Sequence, residues 1–352
     1  MQSTSVRVAA IAAGLLAAAA CGGSDSAASP STSAAPRPTS TVEQKTAETS
    51  TTVAVSPVII GLVTPSAVDD ASFTQSMVDS LARLAADRPI EIDVAADLPS
   101  PDDAVPAAEA FAADGADIVI VHGSQYRRVI EQVAGDHPDV AFAWGTEADD
   151  VGLPNVFSYA AAADEGGYVN GVIGAGLSVS RAIGVIGPIQ IGDAALYVDG
   201  FQAGAVATDP SVTVNVSFLD SYTDAALAGE AAAVMTAFGA DVLSSTSQIS
   251  GGVLTHAESL GLPFLGTQAS AIDAASTVVV AAQLYHWEIA LEEMFSVIEE
   301  GGNGVALEPL TLANGGLTIE FNDAYELPEP VRAAADAAIA GLIEGSIHTG
   351  LG

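Results

Sequence analysis

The chain has 352 residues, of which 49% are hydrophobic, and its 44 acidic and 9 basic residues give a formal net charge of −35. Such an excess of carboxylates repels nucleic-acid phosphates, so we expect no nucleic-acid partner. The chain contains one cysteine, which excludes an internal disulfide and a zinc site built from several thiolates.

The N-terminal segment has the pattern of a bacterial lipoprotein signal. Arg7 supplies a positive charge, residues 8–20 form a short apolar run, and Cys21 closes that run before a polar stretch. The run is too short to span a bilayer, and the thiol at its end can accept a lipid. We therefore expect residues 1–20 to be a signal peptide and Cys21 to be lipidated. The alternative is an ordinary secretory signal, since Ala18 stands where leucine is usual.

Residues 21–56 have the composition of a tether. They are rich in Ser, Thr, Pro and Ala and show no hydrophobic periodicity. Such a segment buries too little apolar surface to offset the entropy of folding, so we expect it to be disordered. The lipid anchor would then hold the globular module at the extracytoplasmic side of the cell membrane, and the anchor would be its only contact with the membrane.

From residue 57 onward, apolar strand-like runs alternate with amphipathic helical runs. The first series predicts strands at 58–63, 90–94, 118–121 and 140–144 and helices at 72–86, 102–113 and 125–134. The second predicts helices at 164–177, 194–207, 224–238 and 252–260 and strands at 183–186, 212–219, 242–244 and 264–266. Strands that are apolar throughout are typical of parallel sheets covered on both faces. We expect an α/β protein with two doubly wound parallel-sheet lobes.

The elements after residue 277 are too few to form a third core. They are a strand at 278–284, a helix at 286–300, a pair of short strands within 310–321 broken at 314–316, and a helix at 331–344. Shared between the lobes, they make the chain cross three times, which predicts a hinge. We assign 57–160 and 283–304 to lobe 1, and 161–282 and 305–352 to lobe 2. Ligands bind beyond the carboxyl ends of parallel strands, so two facing sheets predict a binding cleft.

The sequence contains few residue patterns that are typical of catalytic sites. The five histidines are dispersed without metal-ligand spacing, and the only lysine, Lys45, lies in the predicted tether. Gly171, Gly174 and Gly176 superficially match a dinucleotide fingerprint, but their place within a helical run favours helix packing. We therefore predict that the protein is not an enzyme and has no catalytic residue, cofactor or metal. A secreted hydrolase or deaminase would need a nucleophile, a metal or a placed base.

Short motifs run in order through the whole globular region. They are Gly61-Leu62-Val63-Thr64, residues 69–75, 115–118 with Gly123, 137–140, 155–156, 165–168, 184–187, 200–204, 239–242 and 314–317. This series resembles the basic membrane protein family of ABC-transporter substrate-binding lipoproteins, which includes purine nucleoside receptors. The resemblance implies a type I periplasmic-binding-protein fold, two lobes on a three-stranded hinge, and delivery of nucleosides or related compounds to an ABC permease.

The same resemblance implies ligand-binding residues. Phe73 matches an aromatic residue that stacks on the base. Asp69 and Asp70 match polar contacts at the start of a helix, where helix capping and a catalytic carboxylate pair are the alternative roles. Gln75 closes the same motif. The other ligand positions of the family fall at Ser244, at Thr146, near Gln268 or Ser270, and at Tyr285. At these positions the family has a second stacking ring, two acids and a lysine, and this chain has other residue types. Their replacement puts recognition of ribose in doubt.

Further candidates come from strand ends and from one branch of the family. Ser124 and Gln125 follow a predicted strand, and Trp144 ends another, so we expect all three at the cleft. Trp287 resembles a tryptophan in a branch of the family associated with nucleobase-like ligands, with interlobe packing as its alternative role.

The expected function is capture of a small ligand, purine or a related heterocycle, by closure of two lobes in a monomeric binding protein. Two alternatives remain open. The protein could be a sensing lipoprotein that signals to a membrane receptor, or it could bind a different small solute such as a sugar or an amino acid.

Overall fold

A computed structural model of the chain describes residues 6–8, 56–70, 72–149, 151–275 and 277–351. Cys21, most of the predicted signal peptide and nearly all of the predicted tether lie outside these ranges. Within them, every helix is too short or too polar to cross a membrane.

The first sheet has six strands in the order β1-β3-β2-β4-β5-β6. Its parallel strands are β2 (Val58–Val63), β3 (Ile90–Ala95), β4 (Ile118–His122), β5 (Ala141–Gly145) and β6 (Val156–Tyr159). The edge strand β1 (Val6–Val8), which falls in the predicted signal peptide, pairs antiparallel with β3. Helices α1 (Phe73–Asp87), α2 (Pro101–Ala113) and α3 (Arg127–Val133) connect the parallel strands, and a 3-10 turn at Ser124–Tyr126 precedes α3.

The second sheet also has six strands, in the order β12-β11-β10-β9-β7-β8. They are β7 (Ala182–Gly187), β8 (Thr213–Phe218), β9 (Val242–Ser245), β10 (Phe264–Gly266), β11 (Val279–Tyr285) and β12 (Leu317–Phe321), of which β12 is antiparallel to β11. Helices of this lobe are α4 (Ala163–Leu177), α5 (Gly192–Thr208), α6 (Ala225–Ala237), α7 (Ser250–Leu260), α8 (Ala269–Ala274) and α10 (Glu329–Ile343). Two doubly wound, mainly parallel sheets confirm the predicted α/β architecture.

Local signals in the sequence explain where elements begin. The Ser100 side chain accepts a hydrogen bond from the backbone N–H of Asp102, Pro101 opens α2, and Asp102 and Asp103 lie in its first turn. This combination of cap, proline and acids is typical of helix starts. Strand β4 is buried along its whole length, as the unbroken apolar run 118–121 predicts.

Helices α4 and α5 pack backbone against backbone through glycines. A Cβ atom on Gly171 would lie 2.1 Å from the Phe201 carbonyl oxygen, and one on Gly204 would lie 2.0 Å from the Tyr168 carbonyl oxygen. Only glycine permits so close an approach. The predicted packing role of Gly171 is therefore confirmed.

The chain passes between the lobes three times. It leaves β6 for α4 at residues 160–162, and β11 pairs in the second sheet as far as Tyr285. It then returns to the first lobe, because α9 (Trp287–Glu299) packs on α1, with ion pairs Arg83–Glu288 and Arg88–Glu299. The third passage follows α9 and includes bridges Ser158–Ala306 and Ala161–Leu310. The chain thus changes lobe after Tyr285, beyond the residue 283 at which the sequence places the boundary.

The region before β12 differs from the sequence-based expectation. We predicted a pair of strands within 310–321, but only Leu317–Phe321 forms a strand, and Leu310 makes an isolated bridge. The Asn314 carboxamide explains this, because its oxygen accepts from the backbone N–H groups of Thr311 and Gly316 and closes a turn. The short helix α8 was not predicted either, since six residues are too few to show a periodicity.

Candidate ligand-binding site

A small cavity lies between the two lobes, where the carboxyl ends of both sheets meet. The first lobe lines it with Pro65, Phe73, Gly123, Ser124, Gln125 and Thr146, and the second with Ile191, Asp193, Ala194, Tyr222 and residues 246–248. Tyr285, at the second crossing, completes the lining. The volume is about 20 Å³, which holds about one water molecule. The lobes are therefore closed on each other in this arrangement.

Direct contacts join the lobes across this cavity. The hydroxyl groups of Ser124 and Tyr222 lie 3.3 Å apart. Gly192, with φ of +55°, brings the start of α5 against the first lobe, since a Cβ there would lie 3.3 Å from the Ser124 side chain and from the Thr146 carbonyl oxygen. The close approach of the lobes thus depends on small residues and on polar contacts. A change in the angle between the lobes can break these contacts.

Phe73 contributes an aromatic ring to the cavity at the first residue of α1. The ring stacks on His122, with centroids 4.0 Å apart and an interplanar angle of 6°. Trp287 meets Phe73 edge-on, with centroids 6.0 Å apart. Tyr159 and Tyr285 extend the cluster around Trp287. These contacts fix the orientation of the Phe73 ring.

His122 supports Phe73 as a neutral group. Burial lowers the pKa of His122 to about 3, although a hydrogen bond involving the Phe73 backbone opposes the shift. Its Nδ1 shares a hydrogen bond of 2.8 Å with the Tyr159 hydroxyl. At neutral pH the imidazole therefore acts as an uncharged packing surface.

Asp70 holds the start of α1. Its Oδ1 accepts from the backbone N–H groups of Ser72 and Gln75, at 2.9 and 3.0 Å, and its Oδ2 accepts from the N–H of Thr74 and from the Ser66 hydroxyl. These four bonds occupy the carboxylate within the protein and satisfy free amides of the helix. In this arrangement Asp70 positions Phe73, and Asp69 is exposed outside the cavity lining.

Asp193 is a buried carboxyl group on the second-lobe side of the cavity. Its Oδ1 accepts from the Ala161 backbone N–H at 3.3 Å, and Oδ2 has no hydrogen-bond partner among the described residues. Burial raises the pKa of Asp193 to about 8, opposed by the Ala161 bond and reinforced by the charges of Glu147 and Asp164. The group is therefore protonated at neutral pH.

Sequence reasoning missed the second-lobe side of the cavity. Asp193 follows β7, Tyr222 follows β8, and residues 246–248 follow β9. The strand-end rule that selected Ser124 and Gln125 in the first lobe would have found these positions as well.

A second cavity of about 210 Å³ lies beside the first and shares Tyr285 with it. Helix α1 and the residue before it line one side, and α8 with Gln268 lines the other; the set is Ser72, Gln75, Ser76, Asp79, Arg83, Gln268, Ala269, Ser270, Asp273, Leu284 and His286. The predicted site residues Gln75 and Gln268 thus lie in this more polar space, whereas Phe73, Ser124, Gln125 and Thr146 line the first cavity.

Three predicted ligand contacts lie in packed regions and line neither cavity. Ser244 is buried and donates to the Leu265 carbonyl oxygen. Trp144 donates from Nε1 to the Gly123 carbonyl oxygen at 3.2 Å. Trp287 is buried, stacks on Tyr285 with centroids 4.8 Å apart, and donates from Nε1 to the Ser76 hydroxyl. Trp144 and Trp287 thus contact lining residues without lining a cavity themselves, since Trp144 bonds to Gly123 and Trp287 packs on Phe73 and Tyr285.

The described residues contain no group of three or more His, Cys, Asp or Glu side chains placed to hold a metal ion. Together, the two cavities offer an aromatic ring, hydroxyls, carboxamides and a neutral carboxyl group. This set can bind a planar polar molecule through stacking and hydrogen bonds.

Comparison with known proteins gives relatives at low identity. A protein named purine-binding protein, from Brucella abortus, is 28% identical over 44% of this chain and 44% of its own length. Basic membrane protein B from Borrelia garinii is 27% identical over 57% of the chain and 61% of its own length. Transcriptional activator protein med from Bacillus subtilis is 26% identical over 52% of this chain and 56% of its own length. The chain thus spans roughly half the length of the curated relatives it matches.

Solved structures share the fold. An ABC transporter solute-binding protein from Aeropyrum pernix has a TM-score of 0.72 at 16% identity, over 83% of this chain and 93% of that one. Another, from Conexibacter woesei, has a TM-score of 0.67 at 24% identity, over 83% of this chain and 98% of that one. Both confirm the predicted periplasmic-binding-protein fold.

A family model described as ABC transporter substrate-binding protein, PnrA-like, matches residues 58–326. The match covers most of the chain, from the first parallel strand of the globular module into the segment after β12. The description is of a substrate-binding protein and not of an enzyme, as we predicted. The chain belongs to this PnrA-like Bmp family of ABC transporter substrate-binding proteins.

Proposed function

We propose that this protein captures a purine-like heterocycle, a nucleobase or a nucleoside, in the interlobe cleft and presents it to the permease of an ABC importer. The observation that carries the proposal is the Phe73 ring, which lines the cavity and is backed by the neutral His122 ring. A purine offers a flat π-face to such a ring. The Brucella abortus relative, named as purine-binding, adds support.

Lobe closure would be the working motion. A cavity of about 20 Å³ is far below the few hundred Å³ typical of small-molecule sites, so entry requires the lobes to separate. A ligand that contacts Phe73 in one lobe and Asp193 in the other favours a closed form through its differential affinity. The permease would then recognise the closed shape.

We propose a nucleobase in preference to a nucleoside. Thr146 stands in the cavity where the family places an acid that contacts ribose, and Gln268 lies in the neighbouring cavity. A site built for ribose hydroxyls loses affinity when those acids are absent. The second cavity could still hold a polar substituent of the ligand.

The anchor and the assembly state are further parts of the proposal. The sequence around Cys21 supports lipidation, so a lipid anchor would hold the protein at the extracytoplasmic side of the cell membrane. We propose separately that the protein acts there as a monomer. Detergent phase partitioning of the wild type and Cys21→Ala in the parent cells tests the anchor, because only the lipidated form should enter the detergent phase.

A thermal-shift panel tests the ligand class. Nucleobases, nucleosides, sugars and amino acids are added in turn to the purified protein, since a ligand that binds the native state raises its Tm. A shift with adenine, hypoxanthine or their nucleosides supports the proposal. Shifts confined to sugars or amino acids would refute the purine assignment and leave the solute-binding fold intact.

A sensing role is the second candidate, because one relative is named as the transcriptional activator protein med. The same closure would then engage a membrane receptor instead of a permease. Uptake of labelled adenine by cells with and without the gene separates the two roles. Loss of uptake supports transport, whereas unchanged uptake with altered gene expression supports sensing.

A further inference from the structure

We propose that Asp193, together with Gln125 and Gln248, forms a three-point hydrogen-bonding set that selects an uncharged planar heterocycle, and that Asp193 determines this specificity. The proposal rests on the proposed function and names the chemistry of its ligand.

The three side chains share one property. Each lines the interlobe cavity, and each has a buried polar atom without a hydrogen-bond partner among the described residues: Gln125 Nε2, Asp193 Oδ2 and Gln248 Oε1. Asp193 itself is only 5% exposed. Buried polar groups in native proteins are almost always paired, so unpaired atoms around one cavity indicate a missing partner.

The set spans both lobes. Gln125 follows β4 in the first lobe, Asp193 lies in the first turn of α5 in the second, and Gln248 follows β9. A ligand that satisfies all three therefore bridges the lobes. Its hydrogen bonds form together only in a closed arrangement, which links recognition to closure.

The atoms also define the ligand. Asp193 Oδ1 already accepts from Ala161, so a proton on the carboxyl group belongs on Oδ2, which then acts as a donor. Gln125 Nε2 is a second donor, and Gln248 Oε1 is an acceptor. The matching ligand presents two acceptors and one N–H donor, as the ring nitrogens and amino group of an uncharged purine do.

Neighbouring charge disfavours anionic ligands. Titratable groups that interact with Asp193 come from several surrounding elements; they are Glu147, Asp164, Tyr159, Tyr222 and Tyr285. A carboxyl group cannot supply positive charge, and burial raises the pKa of each of the three tyrosines. Phosphorylated or carboxylated ligands would therefore find only neutral groups or repelling negative charges here.

Protonation makes the set sensitive to pH. Burial raises the pKa of Asp193 to about 8, so the Oδ2 donor is present below that pH and is lost above it. If the bound form requires the proton, affinity falls by up to about tenfold per pH unit above 8. An asparagine at this position mimics the protonated acid, since its Nδ2 can donate while Oδ1 accepts from Ala161.

Calorimetric titration of the full chain with adenine tests the proposal between pH 6 and 9, where adenine is mainly uncharged because its ring N–H loses its proton only at higher pH. We expect the wild type to weaken about tenfold across the upper part of this range. Asp193→Asn should bind within about threefold of the wild type at pH 6 and show no such loss. Asp193→Ala should bind at least about tenfold more weakly at pH 6. Asp199→Asn, on the same helix and outside the lining, is the matched control and should follow the wild type.

The outcomes separate this inference from the proposed function. Wild-type binding that stays constant to pH 9, or an Asn variant as weak as the Ala variant, overturns the role of Asp193. If Phe73→Ala still weakens adenine binding in that case, the proposed function stands. Failure of the wild type to bind adenine or any other uncharged purine overturns both. Circular dichroism of each variant confirms folding, and the wild-type pH profile tests the proposal even if Asp193→Ala does not fold.

Discussion

The ring of Phe73 lies flat on that of His122, with centroids 4.0 Å apart and planes within 6° of parallel. His122 is fully buried and its low pKa keeps it uncharged, so the pair behaves as two stacked apolar rings at neutral pH. Asp70 caps the helix that begins at Phe73. A capped helix and a buried imidazole thus hold one aromatic ring at the interlobe cavity, which suits it for stacking on a ligand.

Phe73→Ala should weaken purine binding. Aromatic stacking contributes about 0.5–1.5 kcal/mol beyond area burial, so the total loss should exceed about tenfold in Kd. Calorimetric titration with adenine measures it. Phe238→Ala is the matched control, because Phe238 is 83% exposed on the second lobe and outside the lining. Equal affinities for the two variants would show that Phe73 does not contact the ligand.

His122 should make the protein sensitive to acid. Its pKa is lowered in the folded state, to about 3 from an ordinary 6.5, so the unfolded chain binds more protons between these values. Stability is therefore full above pH 6.5 and falls as the pH drops towards 3, by at most about 1.4 kcal/mol per pH unit from this group.

Urea denaturation of the wild type and His122→Phe at several pH values measures this effect. The free energy of unfolding of the variant should depend less steeply on pH between 6.5 and 4. Parallel pH dependences would contradict the account of a buried, neutral His122.

Asp193→Asn should change stability in the opposite pH direction. The pKa of Asp193 is raised in the folded state, to about 8 from an ordinary 3.8, so its contribution to stability is largest below pH 3.8 and is lost as the pH rises towards 8. The neutral asparagine avoids this loss. Relative to the wild type, the variant should therefore gain stability from pH 4 to 8, by at most about 1.4 kcal/mol per pH unit. A constant difference in the free energy of unfolding would refute a protonated Asp193.

Gly171→Ala should destabilise the second lobe. The added methyl would lie 2.1 Å from the Phe201 carbonyl oxygen, so α4 and α5 must move apart. Overpacking of this kind costs about 1–3 kcal/mol, which urea denaturation can resolve. Gly251→Ala, within α7 and with open space around its Cα, should be neutral or stabilising by up to about 1 kcal/mol. A Gly171→Ala variant as stable as this control would contradict the close helix contact.

Sequence periodicity predicted the two-lobed fold well because parallel strands buried on both faces leave unbroken apolar runs, such as 118–121. It failed where side-chain hydrogen bonds decide the backbone, as Asn314 does before β12. Within the site, strand ends located Ser124 and Gln125. The same pattern could not separate Trp144, whose indole turns into the core of the first lobe, from residues that line the cavity. The direction in which a side chain points depends on tertiary packing, and the local sequence pattern does not determine that packing.

The most direct test of the central claim is mass spectrometry of small molecules released by denaturing the globular module, residues 57–352, after its purification from cells without added ligand. We predict release of an uncharged purine base or its nucleoside in an amount comparable to the protein, and much less from Phe73→Ala. Release of a sugar, an amino acid or a phosphorylated compound in that amount would contradict a cleft built for an uncharged heterocycle.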